Sequence, residues 1–185
     1  MDQFMEEVVT KRNRTGENVM HALAWVMLIV SGIFAVFMFN LLTMAISTQG
    51  FHSGMILDIV ITLLAIASAV LLFLNKDKIR TEYEYTFTNG VLDFAKVFNN
   101  RKRKNLGTMN LKNIEALGKV NSGSFHRYLN MPGVKRINWF LNREADLLYL
   151  FYQKDQQKNL LIMEPSEEME KLITRAAGQN KLQQN

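Results

Sequence analysis

Residues 19–47 read VMHALAWVMLIVSGIFAVFMFNLLTMAIS and contain no Lys, Arg, Asp or Glu. An α-helix over this stretch would rise about 40 Å, more than the ~30 Å hydrocarbon core of a bilayer. A second apolar stretch, residues 53–75, reads SGMILDIVITLLAIASAVLLFLN and carries a single charge, Asp58. The linker between the two stretches is so short that the helices must be antiparallel neighbours. The sequence therefore predicts an integral membrane protein with a two-helix transmembrane hairpin over residues 19–75.

Basic residues flank this hairpin on both sides and are absent from its linker. The flanking residues are Lys11, Arg12, Arg14, Lys76, Lys78 and Arg80. By the positive-inside rule, both termini are expected in the cytoplasm, which makes this a multi-pass protein of the inner (plasma) membrane. The alternative is a cleaved signal peptide, since Ala45-Ile46-Ser47 has the small residues of a cleavage site. The apolar run is about twice the length of a signal-peptide core, which disfavours that alternative.

Small residues are expected to join the two helices, because lipid tails are as apolar as leucine and close backbone approach must supply the attraction. The candidate packing residues lie at similar depth in the two helices: Ser31, Gly32, Ala35, Ala65, Ala67, Ser68 and Ala69. Asn40 and Asp58 also lie at comparable depth, so a hydrogen bond between them is predicted. The alternative for Asp58 is an intramembrane ion or proton site. The bonded or interfacial carboxylate is preferred, because a single hairpin encloses no pathway.

Residues 1–18 are not apolar enough to span a membrane. Phe4, Met5, Val8 and Val9 are spaced i, i+1, i+4, i+5, which predicts one apolar face on a short amphipathic helix. Such a cytoplasmic helix could lie in the membrane interface or dock on the soluble domain. The alternative is a frayed tail.

The pattern changes after residue 76 to an alternation with period two. Residues 79–88 (IRTEYEYTFT) alternate strictly, which predicts a half-buried β-strand with Glu82 and Glu84 on its exposed face. Asn89-Gly90 then predicts a tight hairpin turn into a partner strand over residues 91–98.

Further short strands are predicted downstream, with a long loop over residues 121–135. The strands fall at 106–109, 115–120, 137–141, 146–153 and 159–163. Ser166 is a good N-cap for a C-terminal amphipathic helix that ends near Gly178. The predicted fold class is a membrane α-hairpin plus an α+β soluble domain over residues 76–179. That domain is expected to be a bent antiparallel sheet or open barrel of about seven strands capped by the helix, followed by a loose tail at 180–185.

The order of these elements resembles a known family. The segments YEYTFTNGVLDF (83–94), LGTMNLKNIEAL (106–117) and EPSEEMEKLI (164–173) look like the bacterial pleckstrin-homology-like domains of small membrane proteins. The whole chain resembles a bacterial group that combines two transmembrane helices with such a domain. The resemblance implies a fold and a membrane setting, and it brings no catalytic residues.

Catalytic and metal-binding motifs are not found. The 185 residues include no cysteine, which excludes disulfides and thiolate chemistry, and His21, His52 and His126 are scattered along the chain. No phosphate-binding loop, HExxH or GxSxG motif occurs. The chain is therefore expected to be non-enzymatic, with no cofactor and no metal. Its excess of Lys and Arg over Asp and Glu, 22 against 17, fits a topology signal better than nucleic-acid binding.

Two soluble segments are candidate contact sites. Arg101, Lys102, Arg103 and Lys104 form a predicted basic loop between strands, which could contact anionic lipid headgroups. Equally, the loop could be a solvated hairpin end that favours the cytoplasmic side. Residues 121–135 carry three apolar side chains, Phe125, Tyr128 and Met131. These could dock a partner peptide, although the preferred interpretation is that they cover the barrel end.

The leading functional hypothesis is a membrane-anchored interaction module that presents its soluble domain to a protein partner or to the inner leaflet. The alternative is an accessory or regulatory subunit of a larger membrane complex, with the hairpin as the interface. A third class, a small transporter or channel, would require a homo-oligomer around Asp58. The expected partners are the lipid bilayer and an unknown protein, without nucleic acid.

Overall fold

A computed structural model describes residues 3–183 of the chain. It divides into two compact units. One unit is helical and comprises Asn13–Arg80. The other is built mainly of β-strands and combines the residues before Asn13 with those after Arg80.

The helical unit is a hairpin of two long helices. Helix α1 spans Thr15–Gln49 and α2 spans Ile56–Asn75, with a 3-10 turn at Ser53–Met55 between them and another at Lys76–Ile79 after α2. Both helices are long and apolar enough to cross a membrane, with mean hydropathies of 2.5 and 2.7. Only 6% and 11% of the most apolar 18-residue stretch of each helix is buried. Neither helix is therefore the core helix of a water-soluble domain.

The two helices pack along a narrow stripe in which buried and half-buried residues recur every three or four positions. Ala35, Thr62 and Ala65 are buried in this stripe, and the Ser31 and Ser68 hydroxyls hydrogen-bond across it at 2.9 Å. Five of the seven predicted packing residues thus lie in or beside the contact: Ser31, Ala35, Ala65, Ser68 and Ala69.

Other residues predicted for the helix contact lie elsewhere. Ala67 is exposed, and a Cβ added at Gly32 would have no atom of the other helix within 4 Å, so neither position contacts the other helix through its side-chain direction. The predicted Asn40–Asp58 hydrogen bond is wrong. Asn40 is exposed and its side-chain amide donates to the Val36 carbonyl of its own helix at 2.8 Å. A side chain that satisfies itself locally does not need a partner on the other helix.

Leucine in place of Ala35 or Ala65 should loosen the hairpin, because these are the buried small residues of the stripe. Overpacking a close contact costs about 1–3 kcal/mol. Thermal unfolding in detergent micelles, followed by circular dichroism, measures the effect. Ala67→Leu is the matched control, since Ala67 is exposed, and an equal fall in Tm for all three variants would contradict the assignment.

The β unit begins with the N-terminal segment, which is a strand and not the predicted amphipathic helix. The first sheet has the order β1-β2-β3-β4 and is antiparallel throughout. Its strands are β1 Phe4–Val9, β2 Thr81–Thr88, β3 Val91–Phe98 and β4 Lys102–Asn110. Met and Glu favour helix locally, but pairing with β2 places alternate residues of β1 toward the core, and this long-range pairing overrides the local preference.

The second sheet has the order β6-β8-β7-β5-β9. Its strands are β5 Ile114–Lys119, β6 Lys135–Trp139, β7 Leu148–Lys154, β8 Gln157–Met163 and β9 Leu182–Gln183. Helix α3 (Gly123–Leu129) lies between β5 and β6, and α4 (Glu167–Ala177) follows β8. The described residues therefore form nine strands rather than about seven, and β6–β8 and β5–β9 are parallel. Part of the tail predicted to be loose forms β9, while residues 184 and 185 lie outside the described residues.

The core lies between the two sheets and is closed by α4, as the sequence predicted for the C-terminal helix. Ser166 caps this helix by accepting a hydrogen bond from the Met169 N–H at 3.3 Å. The fully buried side chains come from both sheets and from α4, and they include Tyr85, Phe87, Leu92, Leu148, Leu150, Leu161, Met163, Met169 and Ile173.

Polar groups also tie the two sheets together. The buried Tyr85 hydroxyl donates to the Trp139 carbonyl and accepts from the Glu164 N–H at 3.3 Å. Burial raises the pKa of this phenol above its ordinary value. The Glu7 carboxylate of β1 accepts the Ser166 N–H at 2.9 Å, so the N-terminal strand also holds the start of α4.

The helical hairpin is thus an insertion between two neighbouring strands. Val9, the last residue of β1, pairs with Tyr83 of β2, and the 70 or so residues between the strands form the helical unit. The predicted division into residues 1–18, 19–75 and 76–179 therefore misassigned the N-terminal segment. This segment is part of the β domain, and only the sequence of the inserted hairpin separates it from the other strands of that domain.

Candidate functional site

The basic segment at 101–104 is mostly strand, and the predicted loop is wrong. Asn99 and Asn100 adopt φ values of 50° and 53°, and the Arg101 N–H donates to the Phe98 carbonyl at 3.0 Å. This is a tight turn with Asn99 and Asn100 at its centre, and β4 begins at Lys102. Asparagine tolerates the left-handed region better than most residues, so the Asn-Asn pair was the signal that sequence reasoning missed.

Strand geometry divides the predicted basic cluster between two faces. Lys102 pairs with Phe98, Arg103 with Val97 and Lys104 with Lys96. Successive side chains of a strand point to opposite faces, so Arg103 is separated from Lys102 and Lys104. The cluster cannot act as one continuous four-residue patch.

Arg103 is already engaged within the domain. Its guanidinium lies 2.5 Å from the Glu84 carboxylate. Glu82 and Glu84, predicted to be exposed, are buried, with 8% and 6% of their surface accessible. Burial raises the pKa of Glu84, a hydrogen bond shared with Glu6 raises it further, and the Arg103 charge opposes the increase. Arg103 therefore stabilises a buried carboxylate and is not free for lipid.

The remaining basic residues gather at one end of the first sheet. We call Lys96, Arg101, Lys102 and Lys104 the basic end. The Lys96 ammonium lies 5.6 Å from the Tyr83 ring and 5.4 Å from the Phe98 ring, while Arg101, Lys102 and Lys104 are exposed. Phe98 pairs with both Thr81 and Lys102. The basic end is therefore the end of the sheet at which the chain enters β2.

The segment 121–135 contains a helix rather than only a loop. In α3, Phe125 and Tyr128 are buried, with 6% and 9% of their surface accessible. They pack on the second sheet, where the ring centroids of Tyr128 and Phe151 are 4.5 Å apart, and Met131 is partly buried against the same cluster. These side chains cover the face of the second sheet that points away from the main core, rather than the end of a barrel, and they are not available to dock a peptide.

No group of three or more His, Cys, Asp or Glu residues is arranged to hold a metal ion anywhere in residues 3–183. His21 lies in α1 and His126 in α3. Among the carboxylates at the start of α4, Glu170 pairs with Lys119 at 2.5 Å.

Two facing β-sheets closed by a C-terminal helix, with an apolar helical hairpin inserted after the first strand, define a pleckstrin-homology-like domain that carries a candidate membrane anchor. The chain belongs to the family described as Bacterial PH-like domain (DUF6106), whose model matches residues 1–182. That match includes β1 and both apolar helices, so the insertion lies within the region that the family model covers. No curated protein and no solved structure matches the chain.

Proposed function

We propose that this protein is a non-enzymatic, membrane-anchored interaction module that presents its PH-like domain to the inner leaflet and to a protein partner. The observation that carries this proposal is the insertion of the hairpin between paired strands. The domain is connected to the helices by two short segments, residues 10–14 and Arg80. Two short connections restrict the movement of a tethered domain more than a single connection does.

The insertion also argues against a cleaved signal peptide. Cleavage near Ser47 would separate β1 from the rest of its sheet, although Met5, Glu7 and Val9 each pair with a residue of β2. An edge strand that carries the buried Val9 and the Glu7–Ser166 hydrogen bonds would be lost. A retained hairpin is consistent with the folded domain.

The same pairing supports the proposed topology. Because β1 and β2 belong to one sheet, both ends of a membrane-spanning hairpin must emerge on the side that holds the domain. The basic residues that flank the hairpin favour the cytoplasmic side. We therefore place the β domain and both termini in the cytoplasm and the Ser53–Met55 turn outside.

Labelling of single cysteines can test this topology, because the natural chain has no cysteine. The exposed residues His52 and Asn121 are suitable positions. In intact spheroplasts, a membrane-impermeant maleimide should label His52→Cys, whereas Asn121→Cys should react only after lysis. Labelling of Asn121→Cys in intact spheroplasts would overturn the proposed side.

Lipid contact is proposed for the basic end. Each Lys or Arg near an anionic surface contributes about 1 kcal/mol, and the exposed Arg101, Lys102 and Lys104 lie at the end of the sheet at which the chain enters β2. Arg103 is left out of this proposal, because it is paired with Glu84.

Hydrogen exchange of the full chain in nanodiscs tests the contact. Amides of the β3–β4 turn should exchange several-fold more slowly in anionic than in zwitterionic nanodiscs, and added salt should remove the difference. Lys102→Glu with Lys104→Glu should abolish it. Lys171→Glu with Arg175→Glu is the matched control, since both residues are exposed on α4. Equal amide exchange rates in anionic and zwitterionic nanodiscs would contradict the proposed lipid contact.

A second candidate function, an accessory subunit bound through the helices, is favoured by the two small residues off the α1–α2 stripe. Gly32 and Ala67 leave room for close approach on surfaces that do not face the other helix of the hairpin. Leucine at both positions would then reduce co-purification of a membrane partner without changing the stability of the hairpin.

A further inference from the structure

A cleft of about 800 Å³ lies in the β domain between β4 of the first sheet and β6 of the second. Both strands are sheet edges, because within residues 3–183 β4 pairs only with β3 and β6 only with β8. Edge strands carry main-chain N–H and C=O groups that can pair with another chain. Two such edges on either side of one cleft make it a candidate site for an extended peptide.

The main chain of β4 is the better template of the two. The Leu111 N–H donates to the Gly90 carbonyl on the β3 side. Because main-chain groups alternate in direction along a strand, Thr108 and Asn110, which both line the cleft, direct theirs away from β3. On β6, by contrast, the Asn138 and Trp139 carbonyls already accept hydrogen bonds from the Tyr83 and Tyr85 hydroxyls.

The floor of the cleft is aromatic and held in place. The Trp139 and Phe94 ring centroids are 4.7 Å apart, and the Tyr85 hydroxyl holds the Trp139 main chain. Gly107, opposite Phe94 in the register, has a φ of +152°, and a Cβ there would lie 4.0 Å from the Trp139 ring. A side chain at this position would be strained and would narrow the cleft, so glycine keeps it open.

The rim of the cleft is predominantly positive. Lys135, Arg136 and Lys154 line it together with a single carboxylate, Asp155. Lys135 and Lys154 are exposed, whereas Arg136 donates to the Leu129 carbonyl at 2.9 Å. Lys135 and Lys154 lie at the same end of the cleft, because Lys135 pairs with Asn159, which in turn pairs with Tyr152. A ligand with carboxylates at that end and apolar side chains along the rest of its length would match both the rim and the floor.

Building on the proposed function, we propose that this cleft binds an extended acidic segment of a protein partner. The segment adds to β4 as a fifth strand of the first sheet. Alternate apolar side chains lie on Trp139 and Ile137, and carboxylates face Lys135 and Lys154.

A random peptide library displayed on phage, panned against the full chain in zwitterionic nanodiscs, tests the proposal. Enriched peptides should be rich in Asp and Glu with alternating apolar residues. Charge reversal by Lys135→Glu with Lys154→Glu should weaken the best peptide at least about tenfold, a loss of ~1.4 kcal/mol. Lys171→Glu with Arg175→Glu should leave its affinity unchanged, and all variants should keep the Tm of the natural chain.

Failure to enrich peptides, enrichment of basic peptides, or binding that is insensitive to Lys135 and Lys154 would overturn the cleft as the partner site. The proposed function is tested separately, because cysteine labelling and exchange at the basic end do not involve the cleft. If the peptide experiment fails while the labelling and the exchange give the expected results, the proposal of a membrane-anchored module stands. The protein partner would then bind to a surface other than the cleft.

Discussion

A chain that begins at residue 76 should not fold into a stable domain, although it contains every strand that the sequence predicted. It lacks β1, whose Val9 is 95% buried and whose Glu7 accepts the Ser166 N–H. Burying a valine contributes about 2 kcal/mol, and hydrogen bonds to a charged group contribute about 1.5–3 kcal/mol. A small domain has a total stability of only about 5–15 kcal/mol, so the loss should leave much of the chain unfolded.

Restoring β1 should restore folding without the two apolar helices. Residues 3–10 joined to Thr81 by a short Gly-Ser linker would re-form the β1–β2 hairpin, since hairpin loops of 2–5 residues are common. Urea unfolding can be followed by the fluorescence of Trp139, the remaining tryptophan once the helix that contains Trp25 is absent. Cooperative unfolding of both chains at the same urea midpoint would show that β1 is dispensable.

Tyr85→Phe should cause the largest loss of stability among conservative substitutions in the sheets. It removes one oxygen and leaves the Trp139 carbonyl and the Glu164 N–H without their partner in a fully buried site. Each unsatisfied buried group costs about 1–3 kcal/mol. The expected cost is therefore about 2–4 kcal/mol, or a fall in Tm of about 10 °C for a domain of this size.

Tyr152→Phe is the matched control for Tyr85→Phe. Tyr152 is half-buried in β7, and within the described part of the chain its hydroxyl has no hydrogen-bond partner. Its replacement should change the Tm of the full chain in detergent by no more than a few degrees. Similar shifts for the two variants would show that the Tyr85 hydroxyl does not join the sheets.

Several features were predictable because their signals are local. The two apolar helices follow from length and composition, the β2–β3 turn from Asn89-Gly90, and the start of α4 from Ser166 and the acidic residues after it. Each signal lies within one continuous segment of the chain and does not depend on contacts between distant residues. The resemblance to bacterial PH-like domains rested on the order of such elements, and the family match confirms it.

The candidate site was predicted less well, because its features depend on which strands pair. Glu84 looked like an exposed strand residue, yet pairing of β2 with β3 and of β3 with β4 brings Arg103 to it. The basic residues looked like a loop, but a tight turn centred on Asn99 and Asn100 allows β4 to begin at Lys102. The cleft could not be predicted at all, since it exists only where the edges of two sheets face each other.

The sequence by itself determined that the chain has two membrane-length helices, a β-rich domain after them and a capped C-terminal helix. Only the tertiary structure decided that FMEEVV at 4–9 is a strand and that the hairpin interrupts its own soluble domain. The physical reason is that six residues of mixed propensity have no stable conformation of their own. Their partner, β2, lies more than 70 residues away in sequence, and pairing with it supplies the hydrogen bonds and the burial that select the strand.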